Sequence, residues 1–307
     1  MIVNKTHAVT GAFGFSGKYI TKELLAQGHD VITLTGNPDR SNPFGDQVKV
    51  FPFNFDNPAA LTDCLQGIDT LFCTYWIRFN YGGMTFDKAV TNTRVLVNAA
   101  KEAGVRKIVY ISITNPDINS PLAYFRGKAE VEQIIKDTGL SFSLLRPAVL
   151  YGHEGILINN IAWMLKRFPF LPVPGDGEYK LQPIFIKDLA KLAVETGAKA
   201  GNQTIDAIGP DTYTYNDLVR MLGEKLGRTV RMIHLPPILS YYGSKPLGYL
   251  MRDVILTRDE LRGLLNNNLT TDSPPAGETK LSDWVEENRE TLGKRYANEL
   301  KQHYKTR

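Results

Sequence analysis

Thr10-Gly11-Ala12-Phe13-Gly14-Phe15-Ser16-Gly17 stands almost at the start of the chain, and its reading decides the fold. The short run His7-Ala8-Val9-Thr10 reads as a strand. Behind it, Lys18-Tyr19-Ile20-Thr21-Lys22-Glu23-Leu24-Leu25-Ala26 carries apolar residues at helical spacing. The glycines therefore sit on a strand-to-helix turn. Gly11 can take backbone angles closed to other residues, Gly14 lets a pyrophosphate approach the main chain, and Gly17 lets helix and strand pack closely. The helix N-terminus offers free N–H groups and a positive dipole end to phosphates. Gly28-His29-Asp30 and the second strand, Val31–Thr35, complete a βαβ unit, the context that separates a dinucleotide site from an ordinary glycine turn.

Strands and helices keep alternating to about Gly152. Strands read near Val48–Phe53, Thr70–Thr74, Lys107–Ser112 and Ser141–Leu145, and helices near Gly17–Gln27, Pro58–Gln66, Thr85–Ala103 and Tyr124–Thr138. This pattern implies an α/β fold: a Rossmann-type, doubly wound parallel sheet with helices on both faces, followed by a small C-terminal substrate lobe. The expected domains are residues 1–152 for nucleotide binding and 153–307 mainly for substrate, with about 179–207 returning to the Rossmann core.

In the last part, Gly155–Phe168 reads as a helix facing a core, Tyr179–Ile186 as one strand, Gln203–Ala207 as another, and Thr214 as the cap of a helix through Leu226. Asp188 is expected to cap the helix after Ile186. The aromatic stretch Pro236–Leu256, with Tyr241, Tyr242 and Tyr249, reads as core before it reads as pocket. A last helix is expected from Leu281 to about His303.

The chain has 307 residues, 43% hydrophobic and 22% charged, with a net charge of +4 and no run of like charge. That excludes a dedicated nucleic-acid surface. Cys64 and Cys73 are too few for a disulfide framework, so the expected compartment is a reducing cytoplasm. Met1 to Lys5 run straight into the first strand, so no signal peptide is expected, and no apolar stretch suits a membrane span. Peripheral association with a membrane stays open. Five scattered histidines predict no metal site, and neither a GxSxG elbow nor a phosphate-binding GxxxxGK loop is present.

Cofactor choice is read at the end of the second strand. Thr35, Asn37 and Arg40 can donate to the extra phosphate of NADP where an acid would favour NAD, so NADP is expected, with NAD possible. Asn54 and Phe55, after the third strand, fit a place beside the adenine ring. With them, Thr10, Gly11, Phe13, Gly14, Phe15, Gly17, Thr74, Lys128 and Pro147 make up the expected cofactor site. Tyr124 and Lys128 lie one helical turn apart. A phenol of pKa about 10 exchanges protons at neutral pH only beside a cation such as Lys128, which can also bond the nicotinamide ribose.

The glycine turn, Val109-Tyr110-Ile111-Ser112, Tyr124 with Lys128, and Leu145-Arg146-Pro147-Ala148-Val149-Leu150-Tyr151-Gly152 together resemble the extended and atypical short-chain dehydrogenase/reductases. Phe125-Arg126-Gly127-Lys128-Ala129-Glu130 and Leu181-Gln182-Pro183-Ile184 resemble the NmrA-like branch, which includes the nucleotide-binding accessory subunit of respiratory complex I. The resemblance implies a cofactor on the strand ends, a substrate cleft beside a small C-terminal domain, and a Ser/Thr–Tyr–Lys catalytic set. Ile113 departs from it by standing where the Ser or Thr is usual, which leaves Thr114 or Ser112 to take that part with Tyr124 and Lys128.

Three functions follow as expectations: an NAD(P)-dependent oxidoreductase acting on a small apolar carbonyl or alcohol, a non-catalytic NADP(H) sensor or scaffold, and a sugar epimerase or dehydratase. The substrate itself stays unnamed, and the chain is expected to be a monomer or homodimer.

Overall fold

The computed structural model describes residues 4–303. In chain order its elements are β1 (Thr6–Thr10), α1 (Phe15–Ala26), β2 (Asp30–Thr35), β3 (Val48–Pro52), α2 (Pro58–Cys64), β4 (Thr70–Cys73), α3 (Phe86–Glu102), β5 (Lys107–Ile111), α4 (Ala123–Asp137) and β6 (Ser141–Pro147). There follow β7 (Val149–Tyr151), α5 (Ile156–Arg167), β8 (Phe170–Pro174), β9 (Lys180–Leu181), β10 (Pro183–Phe185), α6 (Ile186–Ala198), β11 (Gln203–Ala207), β12 (Tyr213–Thr214) and α7 (Tyr215–Lys225). The chain ends with β13 (Arg231–Leu235), α8 (Pro237–Met251), α9 (Arg258–Leu265), α10 (Leu281–Asn288) and α11 (Glu299–His303).

The chain divides into two compact units, Met1–Arg146 with Leu189–Ile205, and Pro147–Asp188 with Asp206–Arg307. The first unit holds a seven-stranded sheet in the order β11-β6-β5-β4-β1-β2-β3. From β6 to β3 every neighbouring pair is parallel. Parallel strands need crossover helices, and the helices cover the sheet.

Strand alternation sorts the side chains. Ala8, Ile32, Leu34, Leu71, Ile108, Tyr110 and Leu144 meet Leu61 of α2, Leu96 of α3, and Val131 and Ile135 of α4 in one buried cluster. Phe72 and Val109 face the other way, against α6, where Gly197 is required: a Cβ there would stand 2.9 Å from the Phe72 ring. Lys107, wholly buried, turns its ammonium out to the end of α6, donating to Lys199 O and Gly201 O at 2.9 Å.

The first four strands and helices lie within a residue or two of their predicted places. In the second unit four expectations are corrected. The predicted strand Tyr179–Ile186 is broken at Gln182, whose amide bonds Thr212 and both backbone groups of Thr271, so that β9 pairs with β12 and β10 with β7. The predicted last helix is two helices. Between them Gly293, at φ +70°, presses on α5 so closely that a Cβ would lie 2.6 Å from Ala162 C. Asp188 serves the loop at Glu278–Thr279, accepting from both backbone amides and from Thr279 Oγ1, rather than the start of its own helix.

Thr214 does cap α7, accepting from Asp217 N at 3.0 Å. Helix α5 buries Ile158, Ile161, Ala162 and Leu165 in a core shared with α7 and α10, as its pattern predicts. The stretch Pro236–Leu256 departs most from expectation. Instead of core it forms α8, with Ile238, Leu239, Tyr242, Tyr249 and Leu250 on its outside.

Candidate cofactor site

The turn after β1 is built from main chain. Gly11 takes φ +63°, its N–H donates to Leu34 O at 2.8 Å, and its carbonyl accepts from Gly14 N at 2.8 Å. Gly17 lies so close behind that a Cβ would stand 2.3 Å from Gly11 O, so no other residue fits without moving α1. Thr33 on β2 clamps the loop from below: its hydroxyl donates to Val9 O at 2.9 Å and accepts from Ala12 N at 3.0 Å.

Gly14 caps α1 with extended backbone and no side-chain bond. The first-turn amides of Phe15, Ser16 and Gly17 therefore have no intrahelical acceptor, the state in which a helix start receives an anion. Thr10 and Thr74 clasp each other at the ends of β1 and β4. Thr74 N donates to Thr10 Oγ1 at 2.7 Å, and Thr74 Oγ1 to Thr10 O. Their hydroxyls shape the floor of the turn. Phe13 is buried against Phe44, so its main chain, not its ring, is presented.

At the end of β2 the buried Thr35 accepts from Asn37 N at 3.2 Å, and Arg40 N donates to Asn37 O, forming a tight turn. Arg40 extends into solvent, exposed. After β3, Asn54 takes the left-handed conformation at φ +48°, exposed, and Phe55 stacks on Phe53 at 4.8 Å and leans on Tyr75 at 5.2 Å. These residues, from β1 to β4, rim one end of the parallel sheet. Pro147 ends β6, buried.

On α4 the picture differs. Lys128 is 3% exposed, and its ammonium donates to Ile111 O at 2.7 Å while lying 4.8 Å from the centroids of both Trp76 and Tyr110. Burial pushes its pKa down to about 7, against partial restoration by Cys73 and Glu132. Tyr124 is half-buried and set edge-on to Trp76 at 5.9 Å and to Phe86 at 5.8 Å. One indole thus touches both members of the Tyr–Lys pair. Gly127 makes its seat, since a Cβ there would stand 2.9 Å from Trp76.

Ser112 sits on the α4 side of the sheet, its hydroxyl donating to Glu132 at 2.6 Å, and Arg146 grips the same carboxylate with two bonds of 2.9 and 2.6 Å. This buried network fixes β5, β6 and α4 together and occupies the Ser112 hydroxyl. Ile113 and Thr114 are both buried. The buried Tyr110 hydroxyl and Trp76 Nε1 have no hydrogen-bond partner.

Trp76, Tyr110, Thr33 and Phe44, which spacing alone did not single out, thus pack on or bond the expected site residues Lys128 and Phe13 and, in the glycine turn, Ala12. A signal for Trp76 was present: a glycine inside a helical pattern implies close packing by another group. Among the described residues no cluster of His, Cys, Asp and Glu could hold a metal, and no helix is long and apolar enough to cross a membrane.

Three comparisons bear on this geometry. The model of the NmrA-like family matches residues 3–252. The mitochondrial NADH dehydrogenase [ubiquinone] 1 alpha subcomplex subunit 9 of Arabidopsis thaliana is 23% identical over 286 residues, covering 86% of this chain and 71% of that protein. Quinone oxidoreductase 2 of Escherichia coli is 27% identical over 228 residues, covering 73% of this chain and 75% of that protein. The crystal structure of an Escherichia coli NADPH-dependent quinone oxidoreductase with NADPH superposes with a TM-score of 0.75 at 24% identity, covering 91% of this chain and 98% of that one.

Proposed function

The chain belongs to the NmrA-like family, and from that premise we propose that it is an NADPH-dependent reductase whose acceptor is a quinone-type ring. The turn at Gly11–Gly17 would hold the pyrophosphate on the free amides of α1, with Arg40 and Asn37 toward the 2′-phosphate and Asn54 and Phe55 beside the adenine. When bound, reduced nicotinamide supplies a hydride, which turns a quinone into the anion of a hydroquinone that then takes a proton from water.

The observation that carries the choice of acceptor is the seating of Lys128. Its ammonium donates to Ile111 O and is sandwiched by two aromatic rings, and the Ser112 hydroxyl gives its proton to Glu132. An aliphatic carbonyl becomes a strongly basic alkoxide and needs a placed proton donor. A quinone leaves a phenolate-type anion, which water protonates without help. The likeness to a bacterial quinone oxidoreductase supports the same reading. An epimerase, which must take a proton from a sugar hydroxyl through a working Tyr–Lys pair, fits these residues less well. We place the protein in the cytoplasm or an equally reducing compartment, as both Cys64 and Cys73 are free thiols.

A second reading, dinucleotide binding without turnover, is favoured by the indole of Trp76 lying against both Tyr124 and Lys128. Steady-state oxidation of NADPH with a short-chain benzoquinone separates the two. Turnover is expected, and Tyr124→Phe should lower it by less than about tenfold. A loss of about 10²–10⁴-fold would restore Tyr124 as the general acid of a carbonyl reductase. Binding of NADPH with no turnover on any quinone would leave the sensor.

A further inference from the structure

Helix α8 is inside out. Its residues Ser240, Tyr241, Ser244, Leu247, Gly248 and Met251 turn toward the protein, while Ile238, Leu239, Tyr242, Pro246, Tyr249 and Leu250 form the outward arc. Tyr249 is 89% exposed, Leu250 75% and Ile238 64%. A surface helix ordinarily carries its polar residues outside. Here the outward arc has one charge, Lys245, and the whole of α8 contains no Asp or Glu.

Positive charge gathers round it. Arg252 follows directly, exposed, and Lys245 and Arg258 lie 4.4 and 5.1 Å from the Tyr241 ring, with Arg258 also donating to the Tyr242 hydroxyl at 3.0 Å. The nearest acid in sequence, Asp253, is turned inward, where it accepts from the Tyr296 hydroxyl at 2.8 Å and from Glu299 N at 3.0 Å. The face thus combines aliphatic side chains, two exposed tyrosines with polar tips, and the cations Lys245, Arg252 and Arg258, with Asp259 and Glu260 following the last of them at the start of α9.

We propose that α8 lies flat on an anionic lipid bilayer, with Tyr249, Leu250, Ile238 and Leu239 in the headgroup–acyl boundary and Lys245, Arg252 and Arg258 among lipid phosphates. Each part has its reason. Tyrosine favours the membrane interface because its ring is apolar and its hydroxyl is wet. Basic residues at the edge of an apolar helix face are drawn to the negative leaflet. A second copy of the chain suits the face less: an isologous pairing of α8 with itself would bring the same cations together. The inference stands apart from the cofactor site and survives or fails without it.

Flotation of the full-length chain with vesicles tests it. Phosphatidylcholine vesicles containing phosphatidylglycerol should carry the protein up, pure phosphatidylcholine should carry far less, and added salt should weaken the difference. Tyr249→Asp with Leu250→Asp should lower partitioning by at least about tenfold at an unchanged melting temperature, since these side chains are mostly in solvent. Lys245→Glu should lower it by at least about fivefold. Absence of flotation at every composition would overturn the proposal, and so would flotation indifferent to the Tyr249/Leu250 pair. A wild-type dimer that this double variant turns to monomer, without vesicle binding, would give the face to a second copy instead.

Discussion

The turn at Gly11–Gly17 and the helix segment Tyr124–Lys128 lie in the same unit, and they offer a ligand two different kinds of group. In the turn the groups on offer are backbone amides, and the side chains nearby are occupied: Thr33 with Ala12 and Val9, Thr10 with Thr74. On α4 the groups are an ammonium and a phenol, and their state is set by what packs on them: Ile111 O, Trp76, Tyr110 and Phe86. A main-chain site is fixed by backbone conformation, held here by Leu34 O and Thr33, and offers the same groups whatever the nearby side chains do. A side-chain site is only as reactive as its neighbours leave it.

The comparison breaks most visibly at Gly17. In Gly17→Ala the new Cβ would meet Gly11 O at 2.3 Å, so α1 must move and its amides lose their aim. Titration calorimetry should show NADPH affinity lower by on the order of a hundredfold, with a stability loss of about 1–3 kcal/mol. Unchanged affinity would mean that the amides of this turn do not hold the cofactor.

A smaller effect sharpens the same side. Arg40→Ala should weaken NADPH by roughly ten- to a hundredfold, the worth of one charged hydrogen bond, and leave NADH unchanged. Equal losses for both cofactors would remove Arg40 from phosphate recognition.

The smallest effect on binding is expected on α4. Lys128→Met should alter NADPH affinity by less than about threefold, because the ammonium is already engaged inside the protein. Its signature lies in pH. Burial holds Lys128 at about 7 in the folded chain, below its usual 10.5, so between those values the unfolded chain binds the extra proton. Stability is therefore lost as pH falls from about 10.5 to about 7, at up to about 1.4 kcal/mol per pH unit. Urea midpoints measured across that range should slope for the wild type and lack this contribution in Lys128→Met. A slope identical in both would show that the ammonium is solvated.

Much of this was legible in the chain itself, and the remainder was hidden for physical reasons. The strands β1 to β6 and the helices between them follow from alternation and helical period, both local properties. Gly11, Gly14 and Gly17 were legible for the same cause. Trp76 was not, because its seat depends on Gly127, fifty-one positions away, and only the glycine interrupting α4 hints at it. The occupied state of Ser112 rests on Glu132 and Arg146, brought together by sheet order. Helix α8 was misjudged because apolar composition does not say which side of a helix meets the protein.

Lys107 sets a condition on how the chain is made. The ammonium of this wholly buried residue is answered by Lys199 O and Gly201 O, and neighbouring Arg106 by Gly197 O, all in the segment that rejoins the first unit some fifty residues after β6. At about 5–20 residues per second, synthesis needs several seconds to pass from Arg146 to Ile205. Throughout that interval the nascent sheet has an open edge at β6 and a cation with no acceptor. The first unit can therefore close only after residues 147–188, which belong to the second, have been made, while the rest of the second, Asp206 onward, is still to follow.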